Sequence, residues 1–269
     1  MVRAAAHLGE QPQVVTTRPG QPRVGLTTHC AIHIAYDERT RARIREEAER
    51  LAWAARQGIP VPEVLDVRPE WLITKRAVND GATGGRAYVE AAVAAARAIS
   101  AAPEPPPSLR ATPPAHGGGR KAGAERLYRI LRSPLSPREF RAARVAAAGL
   151  AQDTLAHGDY VLHNILFDRA RQTVTIIDWE FLRYAPPHFD LLLLWPRLTE
   201  EEDRGLVLEV VQSETRDRAA LGVLHHWLAV RFLADLVTKA PVGEWPRERI
   251  AHAVGRVGEA RAHAAAWGA

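Results

Sequence analysis

Residues 157–180 hold the side chains best suited to chemistry. They run His157-Gly158-Asp159-Tyr160-Val161-Leu162-His163-Asn164-Ile165-Leu166-Phe167, then a polar stretch from Asp168 to Gln172, then Thr173-Val174-Thr175-Ile176-Ile177-Asp178-Trp179-Glu180. The apolar and β-branched runs 164–167 and 173–177 on either side of a polar turn predict two short paired strands. Such a hairpin brings its outer ends together, and those ends carry Asp159, Asn164 and Asp178. Two carboxylates and a carboxamide converging on one point make a hard-oxygen site suited to Mg2+, especially where substrate phosphates complete the octahedron. Two other readings attach to the same residues. Asp and Asn beside a hairpin also serve as turn caps, and His157, Asp159, His163, Asp178 and His188 could form the ligand set of a metallohydrolase.

The elements that must hold these groups can be read outward from them. From Gln13 to Tyr36, β-branched and apolar residues flank Pro19-Gly20-Gln21-Pro22, predicting an opening hairpin or small sheet. Asp37 is placed to cap a helix over 38–57, with the stripe Ile44, Ala48, Leu51, Ala52 and Ala55 on one face and Gly58 after its end. Short strands follow at 64–67 and 71–74. An alanine-rich helix is predicted over 87–102, and the Pro-rich and Gly-rich segment 103–120 is expected to be a mobile loop. Helical spacing resumes at 124–131 and 136–153, where Pro137 suits a first turn, and again from about Thr199 to Trp267, broken near 241–246. The layout is a small β-rich unit with one long helix, followed by a larger, mainly helical one.

With these spacings in view, His157-Gly158-Asp159, Asn164 and Ile177-Asp178-Trp179-Glu180 resemble the aminoglycoside phosphotransferase and choline kinase family, relatives of the protein kinases. The resemblance implies an α+β, bilobal protein kinase-like fold, with residues 1–76 as the N-lobe and 77–269 as the C-lobe, hinged near Lys75 to Ala77. It implies that Asp159 orients or deprotonates the acceptor hydroxyl, and that Asn164 and Asp178 hold Mg2+, within the general scheme of phosphoryl transfer. His157 then braces the loop, and Asp190 in His188-Phe189-Asp190-Leu191 sits where the family keeps a bracing aspartate. Glu47, ahead of Gly58-Ile59-Pro60-Val61-Pro62, matches the family's helix C glutamate. Lys75, Arg76 and Ala77 lie in the strand end and hinge against which an adenine stacks.

The chain departs from the pattern at one strand. Cys30-Ala31-Ile32-His33 stands where Val-Ala-Ile-Lys is expected, so His33 replaces the lysine that grips the α- and β-phosphates. A neutral imidazole lacks that fixed charge, and Arg18 or Arg23 would have to supply a cation from another direction. Glycines are also sparse before His33, which predicts a shortened phosphate loop. The implied activity is transfer of the γ-phosphoryl group of ATP or GTP to a hydroxyl of a small molecule such as an aminoglycoside-like antibiotic, sugar or amino alcohol. The alternative is a catalytically degenerate kinase-like binding or scaffold protein.

Composition bounds these readings. The 269 residues, 46% hydrophobic and 25% charged, describe a globular chain with enough length for a substantial core. A net charge of +5 comes almost wholly from scattered arginines, with only Lys75, Lys121 and Lys239 as lysines, and so forms no basic tract for a nucleic acid. Cys30 is the lone cysteine, which excludes an internal disulfide framework and fits a reducing compartment. No export signal is apparent at the N-terminus. The segments 189–198 and 221–237 are respectively too short and too interrupted by His225, His226, Arg231 and Asp235 to read as membrane spans. The expectation is a cytoplasmic protein with nucleotide and small-molecule partners and neither a membrane nor a nucleic-acid partner.

Overall fold

The computed structural model describes residues 13–16, 21–109, 134–239 and 247–268. The predicted turn at Pro19-Gly20, Arg18, the helix over 124–131, residues 110–120 and the break at 241–246 lie outside them or across their edges. The chain forms two compact units. One comprises the described part of Met1–Ala111 with Leu155–Arg183, the other the described part of Thr112–Thr154 with Tyr184–Ala269.

The first unit is built on a five-stranded antiparallel sheet of β1 (Gln13–Thr16), β2 (Arg23–Leu26), β3 (Cys30–Ile34), β4 (Val64–Arg68) and β5 (Trp71–Lys75), in the order β1-β2-β3-β5-β4. Strand alternation sorts the side chains of β3. Cys30 and Ile32 join Ile73 in a buried cluster flanked by Ile34 and Trp71, which turns Ala31 and His33 to the opposite face. Helix α1 (Glu38–Arg56) follows β3 and begins where the sequence predicts. The Asp37 carboxylate accepts from the Thr40 backbone N–H at 2.8 Å, and the Thr40 hydroxyl accepts from the Asp37 N–H at 3.1 Å, a reciprocal cap. It buries Ile44, Ala48, Leu51, Trp53 and Ala54, whereas Ala52 and Ala55 of the expected stripe are exposed, because the buried face turns onto Trp53 and Ala54. Helix α2 (Arg86–Ala101) buries Tyr88, Val89, Ala92, Val93 and Ile99. The segment expected to be mobile begins differently: 107–109 form a 3-10 turn, Leu109 is buried, and its carbonyl accepts from Arg50 Nε at 2.8 Å.

After β6 (Thr154–Ala156), the predicted hairpin appears as β7 (Ile165–Asp168) and β8 (Thr173–Ile176), in antiparallel register with Ile165 opposite Ile176. Asn164 lies just outside the strand, in the 3-10 turn Leu162–Asn164, because its backbone N–H is committed to the Val161 carbonyl at 2.9 Å. Strand β9 (Arg183–Ala185) then leaves the first unit.

The second unit is helical: α3 (Pro137–Ala148), α4 (Phe189–Leu194), α5 (Glu201–Glu214), α6 (Arg218–Lys239) and α7 (Arg247–Gly268). Helix α3 stops at Gly149, short of the predicted residue 153, because the Gly149 N–H turns back onto the Ala146 carbonyl. Helices α6 and α7 approach so closely that a Cβ on Gly222 would lie 2.9 Å from the Ala264 Cα. Residues 218–238 are long and apolar enough to cross a membrane by length and composition alone, yet 56% of an 18-residue apolar stretch within them is buried in the structure, the behaviour of a core helix.

Candidate functional site

The residues singled out at 157–180, together with Glu47 and His33, all fall within the first unit. Gly158 makes the first bend possible. Its φ is +83°, and a Cβ there would sit 2.3 Å from the Phe181 carbonyl oxygen, so glycine meets both a left-handed backbone and a close chain approach. His157 is fully buried, with its ring edge-on to Trp179 at 4.9 Å, and burial lowers its imidazole to about 4. The ring is therefore neutral and enclosed beside Trp179. Tyr160 anchors the same loop by donating its hydroxyl to the Ala92 carbonyl at 2.6 Å.

Asp159, half-buried, meets Asn164 directly. The Asn164 amide Nδ2 donates to the Asp159 carbonyl at 2.9 Å and to its Oδ2 at 3.1 Å. With the amide nitrogen spent on Asp159, the Asn164 Oδ1 is the atom left to offer a cation. The Ile177 N–H donates to the Asn164 carbonyl at 3.0 Å, which sets Asp178 one residue beyond that bond. Asp178 is exposed and left-handed at φ 63°, ψ 66°, a conformation costing a non-glycine residue of order 1–3 kcal/mol. The Asp159 and Asp178 carboxylates and the Asn164 amide oxygen are hard donors of the type that suits a divalent cation with water or phosphate as its remaining ligands.

The metallohydrolase alternative finds no support here. His157 is enclosed, His163 is exposed, His188 belongs to the other unit, and among the described residues no three His, Cys, Asp or Glu side chains gather to hold a metal. Asp190 is buried on α4, also in the other unit.

Glu47 comes to the site by an unexpected link. Its Oε1 accepts from the backbone N–H of Trp179 at 3.4 Å. Burial, and then the nearby Asp178 carboxylate, push Glu47 up to about 7. Among the described residues no ion pair joins it to a lysine. His33 sits on β3 between Val24 and Leu72, and desolvation lowers its imidazole to about 4, so it is neutral at pH 7. Lys75, at the exposed end of β5, pairs with Glu63 at 3.4 Å, and its backbone N–H donates to the Glu63 carbonyl. Arg76 turns to the β2–β3 connection, where its N–H bonds the His29 carbonyl and its guanidinium the Thr27 carbonyl, both at 2.7 Å. Arg23, considered as a substitute cation, stacks over the Tyr36 ring at 5.7 Å.

Two contributors escaped the sequence reading. Arg43, one helical turn before Glu47, pairs with Glu180 at 3.2 Å, and Trp53 meets the Trp179 ring edge-on at 6.5 Å. Helical spacing puts Arg43 on the face of Glu47, but no local signal names a partner 137 residues away.

A profile of the phosphotransferase enzyme family matches residues 32–224. No curated protein sequence matches. Among solved structures, an ADP-bound aminoglycoside phosphotransferase superposes with a TM-score of 0.60 at 13% identity, covering 99% of this chain and 97% of its own. A choline/ethanolamine kinase family protein from Mesorhizobium loti gives 0.57 at 17% identity, with 96% and 92% covered. A type I macrolide 2'-phosphotransferase gives 0.52 at 17%, with 95% and 94% covered. The α+β, protein kinase-like fold implied by the motif residues is the fold these likenesses show.

Proposed function

The chain belongs to the phosphotransferase enzyme family, and from that premise we propose that it moves the γ-phosphoryl group of ATP or GTP onto a hydroxyl of a small molecule in a Mg2+-dependent reaction. The observation that carries this reading is the pair of hydrogen bonds that the Asn164 amide donates to Asp159, with Asp178 set one residue beyond the Ile177–Asn164 link.

In this reading Asp159 receives the acceptor. Its Oδ2 is occupied by the Asn164 amide, so Oδ1 faces the hydroxyl and accepts its proton as the oxygen attacks the γ-phosphorus, while the bond from that phosphorus to the β,γ-bridging oxygen breaks and the nucleoside diphosphate leaves. Asn164 Oδ1 and the Asp178 carboxylate hold Mg2+, which when bound neutralises charge on the phosphates. The fixed turn from 158 to 164 keeps base and metal ligand at one separation, so little rearrangement is required on binding. His33 and Glu47 border the nucleotide phosphates. With the Lys75 and Arg76 N–H groups already bonded, Ala77 is the hinge position left to pair with a purine edge. The cell interior suits this chemistry and the free Cys30.

The neutral His33 favours a second reading, a kinase-like binding protein without turnover, because the α- and β-phosphates lose a fixed cation. A radiometric assay with ATP and GTP against aminoglycosides, macrolides, sugars and amino alcohols separates the two. Turnover that disappears in Asp159→Asn while folding is retained supports the enzyme. Absence of turnover, with no nucleotide binding by calorimetry, overturns it.

A further inference from the structure

Helix α1 holds the segment after Asp178 at successive residues. Trp179 is bonded through its backbone N–H to Glu47 at 3.4 Å, and Glu180 is bonded through its carboxylate to Arg43 at 3.2 Å. Arg43 and Glu47 are four residues apart and share one face of the helix. The Trp53 ring adds an edge contact to Trp179. Asp178 itself is exposed and left-handed, and the two residues that follow it are both held by helix α1.

The hold from Glu47 is incomplete. The bond is long, no lysine among the described residues anchors the carboxylate, and it lies close enough to Asp178 and Glu180 to be repelled by both. Arg43 brings a guanidinium to this group of carboxylates. Its side chain and that of Glu180 are 34% and 30% exposed, a setting in which an ion pair adds little to global stability but can still fix local geometry.

We infer that the Arg43–Glu180 ion pair is a positioning element for Asp178, the charged half of a two-point clamp by which helix α1 aims the Asp178 carboxylate in a chain whose β3 strand carries His33 in place of lysine. The inference rests on the functional reading above.

The test measures Mn2+ binding by the electron paramagnetic resonance signal of free Mn2+, with a non-hydrolysable ATP analogue present. Wild type, Arg43→Gln, Arg43→Lys, Glu180→Gln and the exchanged pair Arg43→Glu with Glu180→Arg are compared, each checked by circular dichroism and thermal midpoint. Arg43→Gln and Glu180→Gln are expected to raise the Mn2+ dissociation constant five- to tenfold without moving the midpoint by more than a few degrees. Arg43→Lys and the exchanged pair should return to within about threefold of wild type. Unchanged Mn2+ binding in Arg43→Gln overturns the inference alone. So does a loss in Glu180→Gln that is absent from Arg43→Gln and not recovered by exchange, which would make Glu180 itself a ligand. A wild-type chain that binds neither Mn2+ nor the analogue overturns the functional reading, and this inference with it.

Discussion

The Asn164 amide donates to both the carbonyl and the carboxylate of Asp159, at 2.9 and 3.1 Å. One side chain therefore orients the candidate base while turning its own oxygen outward. Asn164→Asp keeps the shape but replaces the donor with a second carboxylate beside Asp159. Steady-state assays should show kcat lower by at least ~100-fold, equivalent to about 2.7 kcal/mol, with the fold intact. A change below threefold would remove this contact from the mechanism.

Gly158 has no room for a side chain, since a Cβ would meet the Phe181 carbonyl at 2.3 Å and φ is +83°. Gly158→Ala should cost roughly 2–4 kcal/mol of stability through overpacking and backbone strain together. Urea unfolding monitored by tryptophan fluorescence reads this directly. A wild-type midpoint would show that the loop relaxes freely.

His33→Lys should restore a fixed positive charge at the strand position where burial keeps the native imidazole neutral, its value lowered to about 4. A charge-assisted contact to phosphate is worth about 1.5–3 kcal/mol. Nucleotide KM should therefore fall ~10-fold or more at pH 7, with kcat changed less. An unchanged or higher KM would mean that the phosphates do not approach β3.

His225 stacks near His263 and Trp267, with ring centroids 5.5 and 5.4 Å away, and lies edge-on to Trp195 at 4.3 Å. Burial, reinforced by the nearby His263 and His226, lowers His225 from 6.5 to about 3. Because the unfolded chain binds this proton more readily, the stability it leaves intact above pH 6.5 is lost as pH falls from 6.5 toward 3. The slope contributed by this group is at most about 1.4 kcal/mol per pH unit. Urea midpoints at pH 7.5 and 5 should diverge in wild type and less so in His225→Phe; equal divergence would assign the acid sensitivity to other groups.

Gly222 on α6 faces Ala264 on α7, where an added Cβ would lie 2.9 Å from the Ala264 Cα and 3.3 Å from its Cβ. Gly222→Ala should lower the thermal midpoint by forcing the helices apart, and adding Ala264→Gly should recover part of the loss. Full additivity of the two losses would show that the contact is not shared.

Much of the site was legible locally. The Asp37 cap and the strand pair around Asp168–Gln172 are short-range patterns that the structure places within a residue or two of expectation, and the α1 stripe holds at Ile44, Ala48 and Leu51 but not at the exposed Ala52 and Ala55. Helix α3 ends earlier than its expected limit at 153, at Gly149, a residue type that itself marks a helix stop. The turn at 107–109 was hidden from local reading. Its order comes from Arg50, a helix residue 59 positions away.

The amino-acid sequence by itself determined the order and spacing of Asp159, Asn164 and Asp178, because a two-stranded hairpin converts fixed spacing into convergence. It also determined that β3 carries an imidazole where a lysine is expected. Only the tertiary structure decided what Glu47 does without that lysine: it turns to the Trp179 N–H, while Arg43 takes Glu180. These partners stand more than 130 residues apart. Hydrogen bonds and ion pairs act over a few ångströms of space, and the packing of α1 against the turn after β8 is what brings those groups within that range.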